Sequence, residues 1–561
     1  MHPIGNELLA KVFQKRGYDP NFLLDIDCAE HGEMTNARKL CELLHGVHES
    51  GEEIVFLPDF DMDGIMSGVI GLAGLRELGF NSDLFVPDPK DGYGFTPATI
   101  DRLIAIYPDV RHIITGDVGI TCNEGIAHAV EKGITVYVTD HHMPGTELPD
   151  AAVIVDPMCP DSTYIHPKIC GAYVVYQCMC LYAHMYGDRM VQERIHRLRV
   201  FAGIGTVSDR MPLLYENRQV VRDSVGISKF LYCDGDPAAA NSVTGSPAYM
   251  NAFKGLHYTY AAFAEAGKLQ DSENIDEDFY GFYLAPTFNS IKRLDGDMHE
   301  AFNVFFGVHP EESIRYLIQL NDERKNIVEE YFQEIMDSTQ PYAPLAYIID
   351  APSGVVGLLA QKIMSITRMP TLVLHEVDGE LRGSGRCPEW FDFIETARPV
   401  GGYFAGHKSA FGCHFADEEE LKAVLDTCNQ ALTETLSEID ITEEPDVYID
   451  NVTHTGDAEL DVAQLMDFVQ AVRRYRPFGM GFAEPVIKIR LRVRECDFKV
   501  IGSEQKHVKV FLPHGVEALC WNQSSKLSDI EHSETFTLTG TFEINDFAGR
   551  NTLALKGDMT C

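Results

Sequence analysis

Between residues 50 and 160 the chain repeats one unit: a short apolar run that stops on an acid, then a stretch with helical spacing. The runs are "EEIVFLPDFD", "DLFVPDP", "RHIITGD", "ITVYVTD" and "AAVIVDP". Between them lie "IMSGVIGLAGLRELGF", "TPATIDRLIAIY" with Thr96 ahead of Pro97, and "NEGIAHAVEKG", closed by Gly133. Threonine before proline opens a helix, and glycine past the last turn ends one. Strands alternating with helices imply a parallel sheet with helices on both faces. Open parallel sheets bind ligands beyond the carboxyl ends of their strands. The acids fall there: Asp59, Asp61 and Asp63 in "PDFDMDG", Asp117 in "TGDVG", Asp140 in "VTDHH" and Asp156 in "VDP".

A single acid at a strand end is an ordinary turn residue. Thr139 and Asp140 are also residues that cap helices, although Pro144 and Gly145 favour a loop there. Several carboxylates converging on one rim are different, because they repel and resist ionisation unless a cation lies between them. Carboxylates together with the imidazoles of His141 and His142 suit a hard to borderline divalent ion such as Mn2+ or Mg2+. Asp209, in "AGIGTVSDRMP", closes another apolar run and adds a further acid. Two ions in such a site perform hydrolysis of phosphoryl esters, one activating water and the other stabilising the leaving oxygen.

At 561 residues the chain is too long for one core. A helical stretch is expected from 226 to 340, with "NDERKNIVEEYFQEIMD" as its long helix. A second α/β region is expected from 341 to 440, and from 445 to 561 strand patterns suggest a small β-barrel. The net charge of -39, from 85 acidic and 46 basic residues, excludes a protein that coats nucleic acid or membrane over its whole surface. A local basic path survives that argument. In "IKIRLRVR" the alternation puts Lys488, Arg490, Arg492 and Arg494 on one strand face, opposite Ile487, Ile489, Leu491 and Val493. Phe511 and Trp521 are possible stacking rings nearby, with core packing the default for each. The 14 cysteines show no zinc-type CxxC pairs, no apolar run is long enough to span a membrane, and the first residues do not read as a signal peptide. A reducing cytoplasm is the expected setting.

"VTDHH", "PDFDMDG", "TGDVG" and "GTVSDRMPLLYENR" resemble the motifs of the DHH phosphoesterase superfamily, and within it the RecJ-like single-strand-specific exonucleases. "PKDGYGF", "CGAYVVYQ", "GVVGLLAQKI", "GSGRC", "AGHKSAFG", "RPFGMGFAEP" and "GSEQKHVKV" extend the resemblance to about residue 550. It implies a parallel-sheet DHH domain over 1–225, a smaller α/β DHH-associated domain over 341–440 and a C-terminal OB-type β-barrel over 445–561. It further implies that Asp59, Asp61, Asp63, Asp117, His141 and Asp209 hold two Mn2+ or Mg2+ ions. Asp140, His141 and His142 would form the catalytic motif, with His142 beside the scissile phosphate. Ser384, Arg386, Gly406, His407, Asn289 and Arg293 would meet the substrate.

The activity implied is 5′ to 3′ hydrolysis of single-stranded DNA to nucleoside 5′-monophosphates, in repair or recombination. The chain would act as a monomer, with a single-strand-binding protein or a helicase as partner. Two other readings remain: a phosphodiesterase for short oligonucleotides or cyclic dinucleotides, and a non-catalytic DNA-binding replication scaffold. The resemblance also implies a histidine two residues before the first aspartate, where this chain has Leu57. In its "PRxNAAGR" segment this chain has Thr287 for arginine and Lys292 for glycine.

Overall fold

The five apolar runs of the first 160 residues pair as one parallel sheet. The computed structural model describes residues 3–18, 33–92, 94–233, 240–338, 345–438, 445–450, 462–502, 505–512, 516–547 and 550–560. In the sheet, β1 (Ile54–Pro58), β2 (Ser82–Leu84), β3 (His112–Gly116), β4 (Thr135–Thr139) and β5 (Val153–Val155) lie in the order β2-β1-β3-β4-β5. Every pairing is parallel, with Phe56 opposite Ile114 and Val138 opposite Ile154. The intervening helices are Met62–Glu77, Pro97–Ile106 and Asn123–Glu131. Thr96 caps the second as its sequence suggests, its hydroxyl accepting from Thr99 N at 3.1 Å. Val55, Leu57, Phe85, Ile113 and Val136 share one core cluster with Phe95, Leu103 and Ile126. Because β1, β3, β4 and β5 end at residues 58, 116, 139 and 155, the acids Asp59, Asp117, Asp140 and Asp156 each follow the last residue of a strand.

Helices Gly171–Tyr186 and Arg199–Ser208 and a helical region from Pro247 to Ser338 follow. The expected long helix begins earlier than its sequence pattern, at Pro310, and runs to Ser338. The loop-like segment "DGDPAAANSVTGSP" lies partly outside the described residues. A second sheet has the order β6-β7-β8-β10-β9, with β6 (Ala346–Ile348), β7 (Thr371–Val377), β8 (Glu380–Arg386), β9 (Tyr403–His407) and β10 (Ala410–Phe415). Only the β6–β7 pair is parallel. Residues Glu33–Asp209 and Ser224–Thr442, which include both sheets, form one compact unit.

The other unit comprises Met1–Gly32, Arg210–Asp223 and Glu443–Cys561. This division differs from the boundary expected at residue 225. The helix Pro3–Arg16 sends Leu9, Val12 and Phe13 into a core with Phe468, Val472, Ile489 and Val510. Arg16 pairs with Asp446 at 2.7 Å. Arg218, fully buried, donates to Pro477 O at 2.7 Å and lies 4.6 Å from the Phe482 ring centroid. The seven-stranded sheet here runs β11-β12-β16-β17-β15-β14-β13, comprising Val447–Asp450, Ile487–Arg492, Thr535–Phe547, Arg550–Thr560, Glu517–Cys520, His507–Phe511 and Asp497–Ile501 respectively. None of the helices among the described residues is long and apolar enough to cross a membrane.

Candidate active site

The acids at the strand ends are fixed by different devices, and those devices separate their roles. Asp61 is the N-cap of the Met62–Glu77 helix, its Oδ1 accepting from Asp63 N (2.9 Å) and Gly64 N (3.2 Å). A carboxylate at this end of a helix satisfies free amide donors and the helix dipole. Asp63 is buried and accepts from Gly171 N (2.7 Å) and Ala172 N (3.1 Å), the first amides of the Gly171–Tyr186 helix. Asp117 stands in the left-handed region at φ 66, a conformation that aspartate tolerates better than most residues. Asp209 ends the Arg199–Ser208 helix.

These groups converge. His141 Nε2 lies 3.0 Å from Asp117 Oδ1, 3.7 Å from Asp209 Oδ2 and 3.8 Å from Asp63 Oδ2. Three sets of side chains bring ligand atoms within 4.8 Å of one another: Asp63, His141 and Asp209; Asp59, Asp61 and Asp117; and Asp117, His141 and His142. Asp59 Oδ1 and Asp117 Oδ1 are buried with no hydrogen-bond partner. Burial, and next the charge of Asp61, pushes the carboxyls of Asp59 and Asp63 up to about 7. Burial likewise raises Asp117 and Asp209 well above the usual carboxylate range, with Asp63 the leading contributing charge for each. Acids that close resist ionising together. Orphaned oxygens and suppressed ionisation are what a divalent cation would relieve, and an all-oxygen-plus-imidazole donor set fits Mn2+ or Mg2+.

Asp140 belongs to a different class. Its Oδ2 accepts from Ile120 N (2.9 Å), and its Oδ1 from His141 N (2.7 Å) and His142 N (3.2 Å). His142 Nδ1 adds a bond to the same oxygen at 2.8 Å. Asp140 joins none of the three ligand sets, and its bonds position the two histidines. The adjacent histidines are driven apart. Burial, then the charge of His142, lowers His141 to about 4, leaving a neutral imidazole. Burial works against the charge on His142, but the bond and charge of Asp140 raise it to about 9. Its side chain is 42% exposed, at the open side of the cluster. Asp156 is buried at the end of β5 and joins none of the three ligand sets.

The structure corrects or adds to the sequence reading at four residues. Leu57 is 1% exposed and packs in the sheet core with Val55 and Phe85, so a histidine there would enter that core instead of binding metal. Asn289, expected to meet substrate, spends its Oδ1 on Met62 N at 2.8 Å, clamping the Ala285–Arg293 helix to the acid turn. Arg494 lies past the end of β12, in the 3-10 turn Val493–Glu495, so it is not on the strand face with Lys488, Arg490 and Arg492. Arg492 and Arg494 both approach Glu495, at 3.3 and 3.9 Å. Trp521, assigned by default to a core, is 53% exposed and meets His507 edge-on at 4.6 Å.

Arg293 donates to Gly354 O at 3.4 Å, at the start of the Ser353–Thr367 helix. Ser384 and Arg386, on β8, lie against the same helix, since a Cβ on Gly357 would stand 3.0 Å from an Arg386 guanidinium nitrogen and 3.4 Å from Ser384 Oγ. Gly406 and His407 are exposed on the edge strand β9, and no described contact ties them to the acids.

Sequence reasoning missed two glycines. A Cβ on Gly171 would sit 2.5 Å from Asp117 Cβ, and one on Gly205 would sit 2.4 Å from Asp63 Oδ1. Both lie inside quoted motifs, where glycine at a helix beside a strand-end acid was the available signal. Lys292 was missed as well: its Nζ is 4.0 Å from the Phe60 centroid, and its charge is felt by Asp59.

The profile of the DHH family's N-terminal domain matches residues 53–204, and that of the RecJ OB domain matches residues 456–558. The chain therefore carries a DHH-family N-terminal domain and a RecJ-type OB domain. This RecJ-like chain is 26% identical to the single-stranded-DNA-specific exonuclease RecJ of Bacillus subtilis, over 97% of its own length and 66% of that protein's. It is also 26% identical to the Escherichia coli protein of the same name, over 93% of this chain and 90% of that one. Among solved structures, RecJ of Thermus thermophilus in complex with Mn2+ superposes with a TM-score of 0.73 at 21% identity. That match covers 99% of this chain and 76% of the other, and it establishes a common fold.

Proposed function

We propose that this RecJ-like chain is a metal-dependent exonuclease that degrades single-stranded DNA from the 5′ end, releasing nucleoside 5′-monophosphates, in repair or recombination. The observation that carries the reading is the disjoint pair of ligand sets, Asp63–His141–Asp209 and Asp59–Asp61–Asp117, within one cluster at the strand ends. No side chain is shared between them, so the cluster has donors for two ions. Divalent ions held there would supply a nucleophilic water at neutral pH and neutralise charge on the phosphate.

The chain's own groups do the rest. Asp63 and Asp61 are fixed by helix amides, which keeps their oxygens in place without cost at the moment of reaction. Asp140 orients His142 and keeps it protonated, so that a cationic imidazole faces the cluster's opening and can hydrogen-bond a phosphate oxygen or the departing oxygen. In this reading Ser384 and Arg386, beside the Ser353–Thr367 helix, would hold the strand's terminal phosphate. The similarity to proteins named single-stranded-DNA-specific exonuclease, over more than nine-tenths of this chain, supports the substrate. The described cysteines are free thiols, which suits a reducing cytoplasm, and the reading carries a monomer working with a single-strand-binding protein or a helicase.

The test is incubation of the protein with 5′- or 3′-labelled single strands in Mn2+, Mg2+ or EDTA. Mononucleotide release from a 5′-labelled strand, dependent on the ion, is expected. No hydrolysis with either ion overturns the reading.

A further inference from the structure

A line of cations leads away from the acid cluster through the helical region and ends at exposed aromatic rings. The charge of Asp61 acts on Arg293, and the charge of Arg293 acts on Arg324, on the Pro310–Ser338 helix. Lys325 is next, with its Nζ 6.0 Å from the Tyr283 ring centroid. Among the described residues, no carboxylate forms an ion pair with Arg293, Arg324 or Lys325. Asp322, which attracts Lys325, is already paired with Lys268. Burial, and then Arg293, brings the Arg324 guanidinium down to about 10. Like charges gathered on a half-buried surface, in a chain of net charge -39, call for an anion.

Arg324 is also aimed. Its Nε donates to Asn321 Oδ1 at 3.0 Å, and Asn321 Nδ2 donates to Thr287 Oγ1 at 3.2 Å. Thr287, one of the departures in the sequence, therefore holds the residue that holds Arg324.

The rings come from an unusual turn. Residues Tyr280–Leu284 form a π-helical turn ahead of the Ala285–Arg293 helix, a widening that often marks functional sites. It puts two consecutive rings outward: Phe282 is 71% exposed and Tyr283 39%. Tyr283 stacks on Phe279 at 5.7 Å and 13°, with Lys325 beside it. Aromatic faces next to lysine and arginine are the two ingredients of single-strand binding, stacking for bases and charge for phosphates.

We propose that Phe282, Tyr283, Lys325 and Arg324 form a binding step for single-stranded polynucleotide, with a base on Phe282 and phosphates on the two cations, from which the strand passes by Arg293 to the acid cluster. The step rests on the proposed nuclease function and extends the strand path beyond Asn289 and Arg293 to residues that the sequence did not single out.

The test uses fluorescein-labelled dT20 and anisotropy in EDTA, so that binding is read without hydrolysis. Phe282→Ala is expected to weaken binding about ten-fold or more. Arg324→Gln with Lys325→Gln should lower the log-log salt slope by about 0.7 for each phosphate no longer neutralised. Phe282 is exposed, and circular dichroism and the melting temperature check that the variants are folded. In parallel, dT20 carrying 5-iododeoxyuridine is photo-crosslinked to the unaltered protein. Adducts on the peptide holding Phe282 and Tyr283 support the step. Affinity within two-fold in Phe282→Ala together with an unchanged slope overturns it, as do adducts confined to other peptides. A protein that binds dT20 through these residues but hydrolyses nothing would refute the nuclease reading and leave the binding step standing.

Discussion

Replacing Asp59 with asparagine should stabilise the metal-free protein while disabling it. Asp59 is 3% exposed, and its Oδ1 has no hydrogen-bond partner. A carboxyl raised from 3.8 to about 7 by burial weakens the fold when it ionises. At about 1.4 kcal/mol per tenfold change in proton affinity, the cost is at most about 4 kcal/mol. The sign follows from the order of the two values. Below about pH 4 the group is protonated folded and unfolded, and nothing is lost. Between about 4 and 7 only the unfolded chain ionises, so stability falls as pH rises, and the penalty is complete above 7. The substituted asparagine has no charge to bury, and its side-chain oxygen still accepts from Phe60 N, as the aspartate does. Its buried amide donors give back about 1 to 3 kcal/mol. A net gain of about 1 to 3 kcal/mol remains, worth about 1 to 4 °C in a unit of this size. Thermal unfolding in EDTA at pH 4.5 and pH 8, wild type beside Asp59→Asn, is the assay. The variant should melt higher at pH 8 and close to wild type at pH 4.5, and Mn2+ should raise wild type more than the variant. A variant that melts lower than wild type in EDTA at pH 8, or by the same margin at both pH values, would refute the idea that the cluster stores carboxylate repulsion for a cation.

His141→Ala should lower Mn2+-dependent cleavage of a labelled strand by orders of magnitude with the far-ultraviolet circular dichroism unchanged, because a ligand shared by two donor sets is lost. Gly205→Ala places a Cβ 2.4 Å from Asp63 Oδ1 and should weaken Mn2+ binding about ten-fold or more by titration calorimetry, through displacement of that oxygen. Leu57→His should cost about 3 kcal/mol or more in denaturant unfolding and add no Mn2+ site by calorimetry, since position 57 is core. Neutralising Lys488, Arg490 and Arg492 together to glutamine should flatten the salt dependence of single-strand binding by about 0.7 for each phosphate these cations neutralise; equal slopes would remove this face from the strand's path.

Much of the first sheet was legible because its information is local. Periods of two and 3.6 residues, a threonine before a proline and acids that end apolar runs are properties of neighbouring residues, and they predicted β1, β3, β4 and β5 and placed Asp59, Asp117 and Asp140 at one rim. The order of the motifs then pointed to the DHH family and its RecJ-like branch. What only the tertiary structure decided depends on partners distant in sequence. Asp140 and Asp117 both follow strands, yet the oxygens of one accept from Ile120, 20 residues away, and from His142, while the other is left with an orphan facing His141. Asn289 meets Met62 from 227 residues away, and Asn321 links Thr287 to Arg324. The helix Pro3–Arg16 finds its core more than 400 residues later. Such contacts leave no periodic trace in the chain. A carboxylate, an asparagine or an amphipathic helix carries the same local pattern whatever partner folding brings to it, and its role is set by burial and by which donors arrive.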